Sequence, residues 1–259
     1  MHAILRPIVS LLVLFVTAGM LGPAQALSVD DLLKKDSVKE IQGALTKDKS
    51  ASSSLSGLSN PEMVGGLKEA LTQGAQTAVQ HLGAPGGYLD NAKVRIPLPS
   101  SVQKAGKTLR KFGMGKYADE LETSMNRAAE AAVPEAKALL VDSVKKMSVA
   151  DAKGILQGGD DSATQYFRRS TSEQLGKKFQ PIVRNAMAKV NVAEKYNQFA
   201  GRAAKYGLVK EQDANLDNYV TEKALDGLYL MIAEEEKAIR KDPVSAAGNL
   251  ARKVFGALK

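Results

Sequence analysis

The sequence predicts an all-α protein, a single multi-helix domain of about eight to ten helices with one extended, proline-containing strap. Apolar residues recur every three to four positions along most of the chain, which is the spacing of the buried face of a helix. The alternation of apolar and polar residues that marks a strand never persists beyond a few positions. The chain has 259 residues and no cysteine, so a packed core rather than disulfides must stabilise it.

The N-terminus has the pattern of a secretory signal, predicted to occupy residues 1–26. Arg6 precedes the apolar run 8–21, which leads to the small-residue site Ala24-Gln25-Ala26. The run is shorter than the roughly 20 apolar residues that span a bilayer comfortably. We therefore expect cleavage after Ala26 and a periplasmic location, with an uncleaved anchor as the alternative. No later stretch is long and apolar enough to span a membrane, so the mature chain is expected to have no transmembrane segment.

Residues 27–59 are predicted to form short helices and a flexible linker ahead of a helical domain at 60–259. Ser28 and Asp31 have the spacing of a capping box, which opens a helix. Serine then dominates the stretch before residue 60, as is typical of a flexible linker.

The first long helix is predicted to begin at Asn60-Pro61 and to end at Gly83. Glycines and prolines then interrupt the helical pattern over residues 84–99. The string VRIPLP within this stretch must be extended, because residues that precede proline avoid the α region. This stretch is the predicted strap across the helices.

Residues that can cap a helix begin several of the later helices. Pro134 is expected to kink or restart a long helix, and Gly158-Gly159 to close a short one. Pro181 lies inside another predicted helix. A long helix is predicted over residues 217–241, and Asp242-Pro243 then starts the last one. The capping residues of the intermediate segments are Ser100, Ser148, Ser170 and Asn191.

The sequence carries no catalytic signature, and no metal site or cofactor is predicted. Without cysteine, thiolate nucleophiles and thiolate metal ligands are excluded. His2 leaves with the signal, so His81 is the sole imidazole of the mature chain, and it stands at a helix end with no acid near it in sequence. The acidic pairs and triplets lack calcium-loop spacing.

A carboxylate on the apolar face of the long helix is a candidate buried polar site. Glu235 is predicted to lie in the middle of the stripe, with Glu234 and Glu236 pointing away. A carboxylate that faces a core needs a partner. An ion pair with an arginine is the structural interpretation, and the floor of a ligand pocket, with Arg127 and Arg168 as candidate partners, is the functional one. The stripe consists of Ala224, Leu228, Met231, Ile232, Ala238 and Ile239.

The strongest functional lead is a segment without acids. From residue 91 to residue 118 the chain has seven basic residues and no Asp or Glu. We predict that this basic segment is a binding surface; a solvated face balanced by Asp119, Glu120 and Glu122 is the alternative. The seven basic residues are Lys93, Arg95, Lys104, Lys107, Arg110, Lys111 and Lys116. The short amphipathic C-terminal helix is predicted to dock on its own domain, with a membrane surface as the alternative.

Five strings in the sequence resemble a bacterial family of exported proteins, domain of unknown function 4197. The resemblance spans roughly residues 60–255 and implies a helical, exported, periplasmic protein, for which it supplies no catalytic residues. Some relatives look lipid-anchored, and the absence of cysteine here favours a free periplasmic form. The strings are GGYLDN (86–91), VRIPLP (94–99), MNRAAEAAVP (125–134), ATQYFRRST (163–171) and YVTEKALDGLYLMIAEEEKAIRKDP (219–243).

These observations favour a non-enzymatic protein that binds an anionic or amphipathic partner of the cell envelope. The candidate partners are anionic lipid headgroups, lipopolysaccharide and an acidic envelope protein. Nucleic acid is not expected, because few aromatic residues are interleaved with the basic ones. An enzyme with a carboxylate–arginine site and a purely structural assembly partner are the alternatives.

Overall fold

The computed structural model describes residues 58–100, 102–103, 115–189, 193–194, 196–197, 205, 214–243 and 248–257. The regular secondary structure of these residues is helical and none of them lies in a β-strand, which confirms the all-α class. The predicted number of eight to ten helices is not confirmed: seven α-helices lie within the described ranges, and further helical residues at 100, 102–103, 193–194, 196–197 and 205 adjoin stretches outside them. They are α1 (Asn60–Gly83), α2 (Gly115–Ala132), the 3-10 helix (Val133–Glu135), α3 (Ala136–Lys146), α4 (Val149–Gln157), α5 (Ser162–Met187), α6 (Leu216–Lys241) and α7 (Asn249–Gly256).

Several predictions fall outside the described residues. The signal, the short N-terminal helices and the linker, apart from residues 58 and 59, lie outside them, as does most of the helix predicted after Ser100, at 104–114. The start of the helix predicted at Asn191 is also outside the described ranges.

Capping side chains begin the helices at two predicted places. At α1 the cap is Ser59, one residue before the predicted Asn60, and Ser59 and Glu62 form a reciprocal capping box with Pro61 in the first turn. Ser148 and Asp151 form the same box at the start of α4, as predicted. Pro134 lies in the 3-10 turn that separates α2 from α3, so the predicted restart is also confirmed.

The prediction that Ser170 begins a helix is wrong. α5 runs without a break from Ser162 to Met187, through both Ser170 and Pro181. The Ser170 hydroxyl donates to the carbonyl of Tyr166, four residues earlier, and therefore caps no N–H group. A serine with capping spacing inside a long helix is indistinguishable from a true cap until the preceding turn is seen.

The core is built mainly from α1, α2, α5 and α6, with α3, α4 and α7 packed around them. α5 lies against both α2 and α6, and α1 lies against α6, α3 and α7. Phe167, Phe179 and Leu175 of α5 and Leu228 of α6 are fully buried within it. Among the described helices, none has the length and apolar character needed to cross a membrane.

Residues 84–99, the connecting segment, join α1 to the next part of the chain. The prediction of one extended strap is not confirmed, because residues 85–90 and 92–94 form turns, and only residues 91 and 95–99 of this segment have neither a turn nor a bend. The side chains of Val94, Ile96 and Leu98 are buried against the helices. Asn126 of α2 holds this stretch from the side, since its amide accepts from the Ile96 N–H and donates to the Ile96 carbonyl.

The C-terminal helix α7 docks on α1, as predicted. Its apolar side chains Ala251, Val254 and Phe255 are buried, so this face is occupied by the protein's own core. The two helices approach closely at Gly66, where an added Cβ would lie 2.6 Å from the Leu250 carbonyl oxygen. The alternative, in which this face lies on a membrane, does not fit the docked helix.

We expect Gly66→Ala to loosen α7, because the new methyl group meets backbone that cannot rotate away. The expected destabilisation is about 1–3 kcal/mol, typical of an overpacked contact. Gly65→Ala is the matched control, since its Cβ would meet only the end of the Leu250 side chain. Amide hydrogen exchange across residues 251–255 measures the effect. Equal protection in the two variants would contradict the close approach.

The α1–α7 contact should also depend on pH. Hydrogen bonds from Lys253 and Ser59 hold the pKa of the Glu62 carboxyl at about 2, against an ordinary 4.5. Because the pKa is lowered by folding, this stabilisation is present above pH 4.5 and is lost as the pH falls toward 2. An NMR titration should therefore give a Glu62 midpoint near 2 that rises in Lys253→Met. Identical midpoints in the two proteins would refute the pairing.

Candidate functional site

The structure describes three of the seven basic residues in the segment 91–118. Lys93 pairs with Glu234 of α6, and the Arg95 Nε lies 2.9 Å from a Glu122 oxygen of α2. Their side chains remain 61% and 50% exposed, so both pairs are at the surface. Lys116 is exposed at the start of α2. Lys104, Lys107, Arg110 and Lys111 lie outside the described residues.

The three residues of the predicted polar site do not form one site. Arg127 of α2 pairs with Glu130, whereas Arg168 of α5 pairs with Asp226 of α6. Glu235 is only half-buried and makes no hydrogen bond to a described residue. The buried carboxylate of this helix is its neighbour Glu236, so the prediction that Glu236 points away is wrong.

The error on α6 arose from the phase of the apolar stripe. Val220, Ala224, Leu228 and Ile232 follow one another at intervals of four residues and are all buried. Glu236 is the next member of that row. The sequence prediction placed Ala238 and Ile239 on the buried stripe, and this put Glu235 instead of Glu236 at the centre of the stripe. In the structure Ala238 is exposed and Ile239 is only partly buried.

Glu236 joins α6 to the first turn of α5. Its two oxygens accept from the N–H groups of Ala163 and Thr164, at 3.0 and 2.9 Å, and one of them also accepts from the Thr164 hydroxyl. Arg240 neutralises the carboxylate at 2.9 Å and donates to the Ile155 carbonyl of α4. One carboxylate thus caps α5, whose own Asp161 makes no capping hydrogen bond, and ties three helices together.

Glu130 has the equivalent role for the connecting segment. Its Oε1 accepts from the N–H groups of Gly86, Tyr88 and Leu89, each at 3.1 Å. Its Oε2 lies 2.6 Å from the Arg127 guanidinium. The buried carboxylate therefore organises the turn that carries the GGYLDN string, and the Arg127 charge offsets its burial.

Two buried tyrosines connect these elements to α6. The Tyr88 hydroxyl donates to the Ala224 carbonyl at 2.6 Å, and burial raises the pKa of this phenol far above its usual value. Its ring occupies the space left by Gly227, where an added Cβ would lie 2.7 Å from a ring carbon. The Tyr229 hydroxyl lies 2.9 Å from that of Thr171, and Arg168 stacks 4.6 Å above its ring. The strings that contain Tyr88 and Thr171 therefore both contact the string at 219–243, although the three are far apart in the sequence.

The chemistry of these clusters is that of structural hydrogen bonding. Within the described ranges, every buried polar side-chain atom has a hydrogen-bond partner. The same residues contain no group of three or more His, Asp or Glu side chains able to hold a metal ion. His81 is exposed at the end of α1. Glu130 was not predicted from the sequence, although it follows Arg127 by three residues, the spacing of an ion pair on one face of a helix.

The fold and its contacts define an all-α domain whose helices are joined by buried carboxylates and hydrogen-bonded tyrosines. The chain belongs to the family described as protein of unknown function (DUF4197), whose model matches residues 57–256. The resemblance identified from the five strings is thereby confirmed. In the same comparisons no curated protein and no solved structure matches the chain.

Proposed function

We propose that this is an exported, periplasmic binding protein that contacts an anionic partner of the cell envelope through the basic segment. The observation that carries the proposal is the run of seven basic residues without an acid between residues 91 and 118. A surface of one charge attracts oppositely charged lipids and proteins over about one Debye length, roughly 8–10 Å at physiological salt. Neither catalysis nor a cofactor is part of the proposal.

The ion pairs of Lys93 and Arg95 are compatible with such a role. Pairs this exposed stabilise a fold by only about 0–1 kcal/mol, so phosphate groups can replace Glu234 and Glu122 as partners. The segment is anchored between buried residues, since Val94 and Ile96 alternate with the two basic side chains. Burial of Val94 and Ile96 thus holds the backbone in place, and the side chains of Lys93 and Arg95 remain exposed to solvent.

Reversing Lys104, Lys107 and Lys111 to glutamate should abolish binding to phosphatidylglycerol vesicles and to lipopolysaccharide. Each basic residue near an anionic membrane contributes on the order of 1 kcal/mol, so three reversals should weaken binding by more than about a hundredfold. Vesicle co-sedimentation measures binding, and circular dichroism checks that the helical content is unchanged.

The matched control reverses three lysines outside the segment, Lys145, Lys153 and Lys189, all of them exposed. It changes the net charge of the protein equally, and we expect it to keep most of the binding. Equal loss in both triple variants would show that net charge alone drives binding. A wild-type protein that ignores both surfaces, or a segment variant that binds unchanged, would refute the proposal.

Export is the second part of the proposal. The apolar run and the Ala24-Gln25-Ala26 site support a mature N-terminus at Leu27 and release by osmotic shock. N-terminal sequencing of the purified protein that found Met1 would refute cleavage.

A further inference from the structure

The helices α4 and α5 line a cleft of about 370 Å³, and its lining residues include neither Glu130 nor any residue of the basic segment. Residues at intervals of three and four on α5 line one wall, including Ser162, Gln165 and Arg169. Asp151 and Gly154 of α4 line the other wall. The volume lies within the range of small-molecule sites.

Arg169 differs from the other arginines. Of the seven arginines in the described ranges, it alone forms neither a hydrogen bond nor an ion pair with another described residue. Its exposed side chain lines the cleft near Asp151, and its N–H donors are not used by any described residue. Gln165 donates to Asp161 at 3.0 Å, and the hydroxyls of Ser162 and Tyr166 donate to backbone carbonyls.

Two carboxylates face the same space. Asp161 and Asp151 each use one oxygen for a hydrogen bond within the protein and leave the other oxygen open. The Ser148 hydroxyl and amide hold the pKa of Asp151 below its usual value, and the Arg169 charge lowers it further. The cleft therefore presents one cation and two anions, so an anion alone would be repelled and a cation alone would leave Arg169 unpaired.

Gly154 supplies an independent observation. It lies in the interior of α4, where glycine weakens a helix relative to alanine. Apart from its own turn of helix, no heavy atom lies within 4 Å of where its Cβ would be, and its φ is not positive, so neither packing nor backbone conformation requires glycine there. The missing side chain keeps the cleft open at the cost of helix stability.

We propose that the cleft between α4 and α5 binds a small zwitterion of dipeptide size. Its carboxylate pairs with Arg169, and its ammonium group pairs with the open oxygens of Asp151 and Asp161. The shape of the site comes from Gly154. No residue of this site belongs to the basic segment, so the two proposals can be tested independently.

Three probes of matched size test the ligand class by NMR titration of the purified protein. Alanyl-leucine carries both charges, its N-acetyl form only the carboxylate, and its amide only the ammonium group. We expect saturable shifts of the Gly154 and Arg169 amides with alanyl-leucine, and binding about tenfold weaker for each blocked form. Equal binding of a blocked form, or no saturable shift with any probe at millimolar concentrations, would overturn the proposal.

Variants test the residues. Arg169→Gln and Gly154→Leu should each weaken alanyl-leucine binding by about tenfold, the first by removing a charged donor and the second by filling the cleft. Lys153→Gln changes an exposed neighbour that does not line the cleft, and it should bind as the wild type does. Binding that survives both cleft variants would contradict the site.

A stability measurement separates the role of Gly154 in binding from a structural role. Gly154→Ala should raise the melting temperature by about 2–4 °C, because the helix gains and nothing is displaced. A lower melting temperature would mean that the fold requires this glycine, and would remove the second observation on which the site rests.

Discussion

Replacing Glu236 with alanine is expected to lower the free energy of unfolding by about 3–5 kcal/mol, the typical result of removing one partner from a buried ion pair. Arg240 is left as an uncompensated charge in a position where its side chain is only 13% exposed. The N–H groups of Ala163 and Thr164 also lose their acceptors at the start of α5. Urea denaturation followed by circular dichroism measures the change.

Glu235→Ala is the matched control on the same helix. The Glu235 carboxylate forms no hydrogen bond or ion pair with a described residue, so its loss should change the free energy of unfolding by less than about 0.5 kcal/mol. A loss at Glu235 as large as that at Glu236 would mean that the row through Val220 and Leu228 is not the buried one.

The second large effect is expected at Glu130. Alanine at this position should cost about 3–5 kcal/mol, because three backbone N–H groups of the connecting segment lose their shared acceptor and the buried end of the Arg127 pair is removed. Hydrogen exchange should show loss of protection at Tyr88 and Leu89 before the helices open.

Two further variants identify the source of that effect. Glu130→Gln keeps an oxygen for the backbone N–H groups and loses only the charge, so its cost should be clearly smaller. Glu135→Ala removes a carboxylate that is half-exposed and pairs with Lys178 at 3.6 Å, and should cost about 0–1 kcal/mol. Equal costs at Glu130 and Glu135 would refute the anchoring role of Glu130.

The sequence predicted the helices well where a local signal exists. Ser59 and Glu62, like Ser148 and Asp151, cap their helices through contacts three residues apart, and such contacts are visible in the chain itself. Ser170 carried the same spacing without the function. The Ser170 hydroxyl donates to a carbonyl of the preceding turn, because α5 already begins at Ser162. The N–H groups at the start of α5 are capped by Glu236 of α6.

The polar contacts were harder to predict because their partners are remote in sequence. Glu236 bonds to Thr164 across 72 positions, and Tyr88 to Ala224 across 136. Helical periodicity predicted Glu235 as the buried carboxylate of α6, whereas the packing against α5 shows that Glu236 is the buried one. The basic segment can be recognised from the amino-acid composition alone. The ion pairs of Lys93 and Arg95 could not be predicted, because their partners Glu234 and Glu122 lie on other elements of the fold.

Salt dependence of vesicle binding tests the central claim most directly. The purified protein is co-sedimented with vesicles of phosphatidylglycerol and phosphatidylcholine, and with phosphatidylcholine alone, as ionic strength rises from about 0.01 to about 0.15 M. Because the screening length falls from roughly 30 to 8 Å over this range, a basic binding surface predicts strong retention on the anionic vesicles at low salt and a steep decline. Retention that is equal on both vesicle types, or that does not change with salt, would contradict it.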